Sequence, residues 1–374
     1  MSKAPLFLLA AGGTGGHVFP AEALGAELMR RGFRVMLATD VRGAALGVHV
    51  EGLHMKVLPS GAMLGKGTFG KLKSGLSLAY GIFRAWRLIR REKPVAVVGF
   101  GGYPSIPPLL AARLTGLPIV IHEQNSVLGR SNKFVARRAA GIATSFPETR
   151  GLSGEDARKS VWVGNPVRTA VVEVGAALYT PPGDEDGPIR ILVTGGSQGA
   201  RVFSDVVPQA LAELPEELRR RLVVWQQVRT EQIDQVREIY MAASVNAELV
   251  PFFTDMDRRL AEAHLCIGRA GASTVAELAA AGRPSLLVPL PNSADDHQAI
   301  NARYLEEAGA AWVMAQGEFQ PAALGRRLFN LFRDGERLAA AAASARRLAR
   351  ADAARRLADL VIDAANIKTT ETAA

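Results

Sequence analysis

The sequence predicts an α/β protein of two doubly wound parallel-sheet domains facing a central cleft. Three observations carry that reading. Short apolar runs rich in β-branched residues alternate with longer Ala/Leu/Arg-rich stretches of helical period, the signature of repeated strand–helix–strand units. The segment Leu8-Leu9-Ala10-Ala11-Gly12-Gly13-Thr14-Gly15-Gly16 is echoed half a chain later by Leu192-Val193-Thr194-Gly195-Gly196-Ser197-Gln198-Gly199, each a first strand ending in a glycine loop. A length of 374 residues also exceeds one ordinary core.

The expected strands of the first half are Leu6–Ala10, Val35–Thr39, Val95–Gly99 and Ile119–His122, with Gly141–Thr144 as a fifth. Those of the second half are Arg190–Thr194, Leu222–Gln226, Ala247–Pro251, Leu265–Ile267 and Ser285–Pro289. Helical stretches lie between them, among them Pro20–Arg31, Ile106–Thr115, Ser273–Ala281 and Ala299–Ala308. The polar segment Pro147–Lys159 leads to Gly164-Asn165-Pro166, which suits a crossing between domains. The expected division is 1–163, 164–335, and a C-terminal helix with a polar tail over 336–374.

Composition narrows the class. Hydrophobic residues make up 48% and charged residues 22%, as in a globular protein. One cysteine, Cys266, excludes a disulfide framework and sits in an apolar run where a buried, inert thiol is expected. The apolar run Leu6–Ala11 is too short for a signal peptide and leads straight into the glycine loop. No stretch approaches the roughly 18 apolar residues of a membrane-spanning helix.

The net charge of +9 is unevenly placed. Residues 1–180 carry 23 Lys+Arg against 10 Asp+Glu, and the remainder 22 against 26. The first half should therefore seek an anionic partner. Lys66–Lys93 concentrates the effect, with eight basic residues and one acid, Glu92. As a helix it has two apolar stripes, Leu72, Leu76, Ala79, Phe83 and Trp86 on one and Leu78, Ile82 and Ile89 on the other. One stripe can pack on the sheet while the other rests on lipid, with arginines such as Arg87 at anionic head groups. Leu76, Ile82, Phe83, Trp86 and Arg87 are the residues expected at a membrane surface. An ordinary core helix with a solvated basic face is the plainer alternative. Nucleic acid is not the expected partner, because no recognised binding motif accompanies the charge.

Each glycine loop offers unencumbered backbone N–H groups at a helix start, a site suited to a phosphate or diphosphate. A dinucleotide fold is the competitor. However, Gly13-Thr14-Gly15-Gly16-His17-Val18 has Val18 where the third glycine belongs, and Asp40 comes late for the ribose carboxylate.

Six segments occur in register: Gly12 to His17, Gly99-Phe100-Gly101-Gly102-Tyr103-Pro104-Ser105, His122-Glu123-Gln124-Asn125, Gly164 to Arg168, Gly195 to Ala200, and Arg269 to Glu277. Together, from about residue 6 to residue 310, they resemble the MurG family of glycosyltransferase family 28, the N-acetylglucosaminyltransferases that convert lipid I to lipid II. The resemblance implies the GT-B arrangement, with acceptor and membrane contacts in the N-terminal domain and the nucleotide sugar held mainly by the C-terminal one. It implies UDP-GlcNAc and lipid I as substrates, no cofactor, no metal, and a peripheral place on the cytoplasmic face of the plasma membrane.

The resemblance also implies site residues. Donor contacts would come from Thr14, Gly15, Gly16, Asn125, Arg168, Ser197, Phe253, Glu277 and Gln298, and acceptor-diphosphate contacts from Gly13, Gly102 and Tyr103. Glu277 would accept from the ribose hydroxyls, Arg168 would offset charge on departing UDP, and the backbone at Phe253 would meet uracil. Inverting displacement needs a base within reach of the acceptor hydroxyl, and His17 and Glu123 are the two candidates. His297 stands where some members have a second glutamine. Asp295-Asp296 lacks the wider ligand set of a metal site. Other GT-B transferases, a UDP-GlcNAc 2-epimerase and a non-catalytic sugar-nucleotide-binding module are the alternative readings.

Overall fold

The computed structural model describes residues 4–46, 50–60, 68–183, 187–196 and 199–367, with side chains of the helix Thr68–Glu92 described from Ser74 onward. Ser197, Gln198, Lys66 and the tail from Lys368 lie outside the described residues, and the side chain of Leu72 is likewise not described. The chain divides into two compact units, residues 1–168 with 350–374, and residues 169–349.

Unit 1 holds a seven-stranded, wholly parallel sheet. Its strands are β1 (Leu6–Ala10), β2 (Arg34–Thr39), β3 (His54–Val57), β4 (Ala96–Gly99), β5 (Ile119–Glu123), β6 (Gly141–Thr144) and β7 (Ser160–Trp162), in spatial order β3-β2-β1-β4-β5-β6-β7. The strands β1, β4, β5 and β6 are buried along their whole length, which is why they read as continuous apolar runs and not as alternation. β3 and β7 are edge strands, and β3 buries none of its four residues. Short and half-polar, such edges give the sequence no apolar run to detect.

One face of this sheet packs under the helix Gly15–Arg30 through Val18, Ala21, Leu24 and Leu28. The same face receives the last helix, Ala353–Ala364. Its Leu357, Ala358, Val361 and Ile362 are all at most 2% exposed and join Phe7, Leu9, Val98 and Val120 in one core. The Ala/Arg-rich stretch after Glu336 is thus two helices, Gly335–Leu348 in unit 2 and Ala353–Ala364 in unit 1. An ion pair between Arg31 and Asp359 at 2.6 Å marks the seam. The opposite face of the sheet is covered in part by the helix Thr68–Glu92, which buries Ala85, Leu88 and Ile89.

Unit 2 holds a six-stranded parallel sheet: β8 (Ile189–Thr194), β9 (Leu222–Gln227), β10 (Asn246–Val250), β11 (Leu265–Gly268), β12 (Ser285–Leu287) and β13 (Ala311–Val313), ordered β10-β9-β8-β11-β12-β13. Its core joins Ile191, Val193 and Ile267 to Phe203 and Phe319, whose rings meet edge-on at 5.6 Å. In both sheets the strand order reverses beside the first strand, between β1 and β4 and between β8 and β11. Those two switch points, at the carboxyl ends of the strands, are where an open α/β sheet receives a ligand.

Candidate active site: two glycine loops and their braces

The first switch point brings together the loops after β1 and β4. Gly12 is obligatory by space, since a Cβ there would lie 2.7 Å from Asp40 Oδ1 and 2.8 Å from Pro104 Cβ. Gly13 (φ +83°), Gly101 (φ +82°) and Gly102 (φ +72°) take left-handed backbone that other residues adopt only under strain. A Cβ on Gly102 would lie 3.3 Å from the Gly12 carbonyl, so the two loops lie against each other. Tyr103, half-exposed, opens the short helical turn that follows.

Asp40 braces the first loop from the end of β2. Its Oδ1 accepts from the Gly13 N–H and the Gly43 N–H, both at 2.9 Å, and Arg42 donates to Oδ2 at 3.2 Å. Burial works to raise the Asp40 pKa. The two backbone donors and Arg42 outweigh it and hold the carboxyl below the usual range. Arg42 in turn places its guanidinium 3.4 Å from where a Cβ on Gly13 would stand, an exposed cation beside the loop.

His17 lies in the first turn of the helix that the loop feeds. Its Nδ1 lies 2.8 Å from Gln124 Oε1. The edge of its ring lies against the two glycines, with Cε1 3.5 Å from a Cβ on Gly101 and Cδ2 3.2 Å from one on Gly102. Behind Gln124 is His122, fully buried and held neutral: burial depresses its pKa to about 4, against the partial support of the Gly164 carbonyl.

Glu123, at the end of β5, is 2% exposed. Its two oxygens accept from the Asn125 N–H (3.0 Å), Asn125 Nδ2 (3.2 Å), the Gly129 N–H (2.9 Å) and Asn132 Nδ2 (2.8 Å). The carboxylate thereby organises the whole turn that presents Asn125. Arg168 spreads its guanidinium over the Phe19 ring at 5.1 Å, within unit 1.

The second switch point has a different brace. Gly195 packs so tightly that a Cβ would lie 2.2 Å from the Ala200 N, and Gly196 has φ +79°. Gln227, at the end of β9, uses its entire amide here. Oε1 accepts from Thr194 Oγ1 and the Gly195 N–H, both at 3.0 Å, while Nε2 donates to the Gly196 carbonyl at 3.0 Å and the Pro251 carbonyl at 3.1 Å. One side chain so ties the glycine loop to the segment carrying Phe253. The Phe253 ring is buried at 4% exposure under Arg259.

Glu277 is half-buried on the helix Ala272–Ala281, which starts just past β11. Arg269, at that same strand end, donates to the carbonyls of Val288 (3.0 Å) and Pro289 (3.2 Å) and to Gln316 Oε1 (2.7 Å). Gln298 Oε1 accepts from the Leu290 N–H at 3.0 Å. Asn292, Asp295 and Asp296 before it all have positive φ, so this turn carries backbone strain.

Unit 1 therefore gathers Gly13, Thr14, Gly15, Gly16, His17, Gly102, Tyr103, Glu123 and Asn125 at one sheet end, and unit 2 gathers Phe253, Glu277 and Gln298 at its own. Sequence reasoning assigned no role to Gln124 and Arg269, which stand in two of the six segments, and did not single out Asn132 or Gln227. Gln227 ends β9 and Gln124 directly follows β5, each beside a glycine loop, which is the positional hint for both.

The helix Thr68–Glu92 exposes Leu76, Tyr80, Phe83 and Trp86, with Ile82 half-buried. Phe83 and Trp86 stack at 6.2 Å, and Arg84, Arg87 and Arg90 each lie over the aromatic ring one turn earlier, at 5.7, 6.0 and 5.5 Å. No helix among the described residues is long and apolar enough to cross a membrane.

Comparison with known proteins agrees with this architecture. The glycosyltransferase family 28 N-terminal domain matches residues 7–144 and its C-terminal domain residues 190–357. The chain is 53% identical over 367 residues to the UDP-N-acetylglucosamine–N-acetylmuramyl-(pentapeptide) pyrophosphoryl-undecaprenol N-acetylglucosamine transferase of Rhodospirillum centenum, covering 98% of this chain and 96% of that one. It is 50% identical over 370 residues to the enzyme of the same name from Bradyrhizobium sp. (strain BTAi1), covering 98% and 100%. Among solved structures, MurG of Acinetobacter baumannii superposes with a TM-score of 0.74 at 32% identity, over 96% of this chain and 99% of that one. A Listeria monocytogenes protein described as a UDP-N-acetylglucosamine 2-epimerase reaches 0.67 at 17% identity, over 98% of each chain, a likeness of fold alone. The chain has the GT-B fold and belongs to the MurG family of glycosyltransferase family 28.

Proposed function

We propose that this protein transfers N-acetylglucosamine from UDP-GlcNAc to lipid I, giving lipid II for peptidoglycan synthesis. The observation that carries the reading is near-full-length identity of about half to transferases whose names state that donor and acceptor. Transfer is by inverting displacement at the anomeric carbon, with the 4-hydroxyl of the acceptor's N-acetylmuramyl sugar as nucleophile. As its oxygen bonds to the anomeric carbon, the hydroxyl proton passes to a base, and the bond to UDP breaks with its electron pair leaving on the diphosphate.

His17 is that base. The hydrogen bonds favour it over Glu123, whose oxygens already accept four. The two loops at Gly13, Gly102 and Tyr103 receive the acceptor diphosphate. Thr14, Gly15, Gly16 and Asn125 with Arg168 contact the donor from unit 1. Ser197, the backbone at Phe253, Glu277 and Gln298 hold UDP-GlcNAc from unit 2, with Glu277 on the ribose. The exposed Leu76, Phe83 and Trp86, with Arg87 and half-buried Ile82, dock the enzyme on the anionic cytoplasmic face of the plasma membrane, where a lipid-linked acceptor resides.

The test is transfer of labelled GlcNAc to a soluble lipid I analogue, beside a UDP-glucose control and an assay for epimerised UDP-sugar. Disaccharide formed from UDP-GlcNAc alone supports the reading. Epimerised nucleotide sugar with no disaccharide would replace it.

A further inference from the structure

Behind His17 runs a hydrogen-bonded chain that fixes where its proton sits. Two backbone carbonyls, which can only accept, settle the direction of every link. Gly164 O lies 3.0 Å from His122 Nε2, so that nitrogen carries the hydrogen and His122 Nδ1 presents its lone pair. Gln124 Nε2 lies 2.9 Å from that Nδ1 and 2.9 Å from the His122 carbonyl, so the amide NH2 faces His122. Its Oε1 then faces His17 Nδ1 at 2.8 Å and accepts, which places the His17 hydrogen on Nδ1. The remaining nitrogen, Nε2, lies between Cε1 and Cδ2, the two ring carbons that face Gly101 and Gly102.

We infer that Gln124, oriented by His122, is a positioning residue that holds neutral His17 as the Nδ1–H tautomer and so keeps the Nε2 lone pair ready to take the acceptor proton. The inference rests on His17 being the base. The histidine ring in water favours the other tautomer, with hydrogen on Nε2, which cannot accept there. The chain removes that competition before substrate arrives. It also survives the reaction, because protonated His17 still donates from Nδ1 to the same oxygen. Both supporting side chains are sealed from water, Gln124 at 1% exposure and His122 at 0%, so no solvent molecule can substitute for either. The chain ends on Gly164, whose φ of +89° and close neighbours Arg350 and Ala353 leave no room for a side chain. This fixes the terminal carbonyl in place.

The tautomer is read directly by long-range 15N–1H correlation of the histidine rings, at a pH where His17 is neutral, with His17→Ala identifying its signals. Wild-type protein should show hydrogen on Nδ1. Gln124→Leu should shift His17 toward the Nε2–H form and lower kcat about tenfold, with KM for both substrates within about twofold. An Nε2–H signal in the wild-type protein overturns the inference without any variant. So does Gln124→Leu with unchanged tautomer and kcat, in which case loss of transfer in His17→Ala would leave the base itself standing. Full transfer by His17→Ala would remove both.

Discussion

The two glycine loops stand at equivalent places in two sheets of the same strand order, yet they are braced by opposite chemistry. The first is held by a carboxylate, Asp40, with Arg42 beside it, and carries a titratable ring backed by a buried relay. The second is held by one neutral amide, Gln227, that also grips the segment leading to Phe253. A charged, proton-handling loop suits a site where bonds to hydrogen change. A loop held by a neutral amide suits a site that must hold a nucleotide diphosphate in one place. One fold, used twice, has been specialised by the residue at the end of the strand next door.

Four substitutions or conditions sharpen or break that contrast. The largest effect is expected from Glu277→Ala. Two hydrogen bonds to a charged acceptor are lost, each worth about 1.5–3 kcal/mol, so the KM for UDP-GlcNAc should rise by roughly 100-fold or more. The acceptor KM should stay near its original value, and an equal rise in both would break the assignment of donor binding to unit 2.

Acid should act on unit 1 through His122. Its folded pKa near 4 lies below the ordinary 6.5, so the unfolded chain binds more protons between those values. Stability therefore falls as pH drops through this window, by about 2 kcal/mol between pH 7.5 and pH 5. His264 in unit 2, also depressed to about 4 chiefly by burial, adds in the same direction. Urea unfolding at several pH values measures the slope, and His122→Asn should flatten it in part. An unchanged slope in that variant would deny His122 its neutral, buried role.

Gln227→Leu should raise the donor KM about tenfold and leave buried loop groups without a partner, at about 1–3 kcal/mol of stability. Transfer kinetics with each substrate varied in turn would show whether the acceptor side is spared. The smallest effect is expected at the membrane helix. Trp86→Ser should weaken binding to anionic vesicles roughly fivefold, about 1 kcal/mol of lost apolar burial, without changing transfer to a soluble acceptor. Vesicle sedimentation makes that comparison.

What the sequence made legible follows from where residues lie. Interior strands such as β1 and β6 are buried on both faces, so their apolar runs mark them to within a residue. Three of the four edge strands, β3, β7 and β13, are only three or four residues long and half-wet, and pattern reading passes over them, while the five-residue edge strand β10 is long enough to be read. The glycine loops were visible because left-handed backbone and close packing demand glycine. The roles of the supporting amides were not, because Gln124 lies 107 positions from His17 and Gln227 lies 32 from Gly195, and nothing local ties either amide to the group it holds. The helix Thr68–Glu92 was legible as amphipathic and basic. Which stripe it buries was settled by Ala85, Leu88 and Ile89 turning toward the core, leaving Leu76, Phe83 and Trp86 outward.

The division of labour between the loops is tested most directly by His17→Ala, measured for both UDP binding and transfer. Calorimetric affinity for UDP should match the wild-type protein within about twofold, while kcat for transfer to the lipid I analogue falls by roughly 10³, the scale of a lost general base. Transfer at the wild-type rate, or UDP affinity lost in step with transfer, would contradict the account.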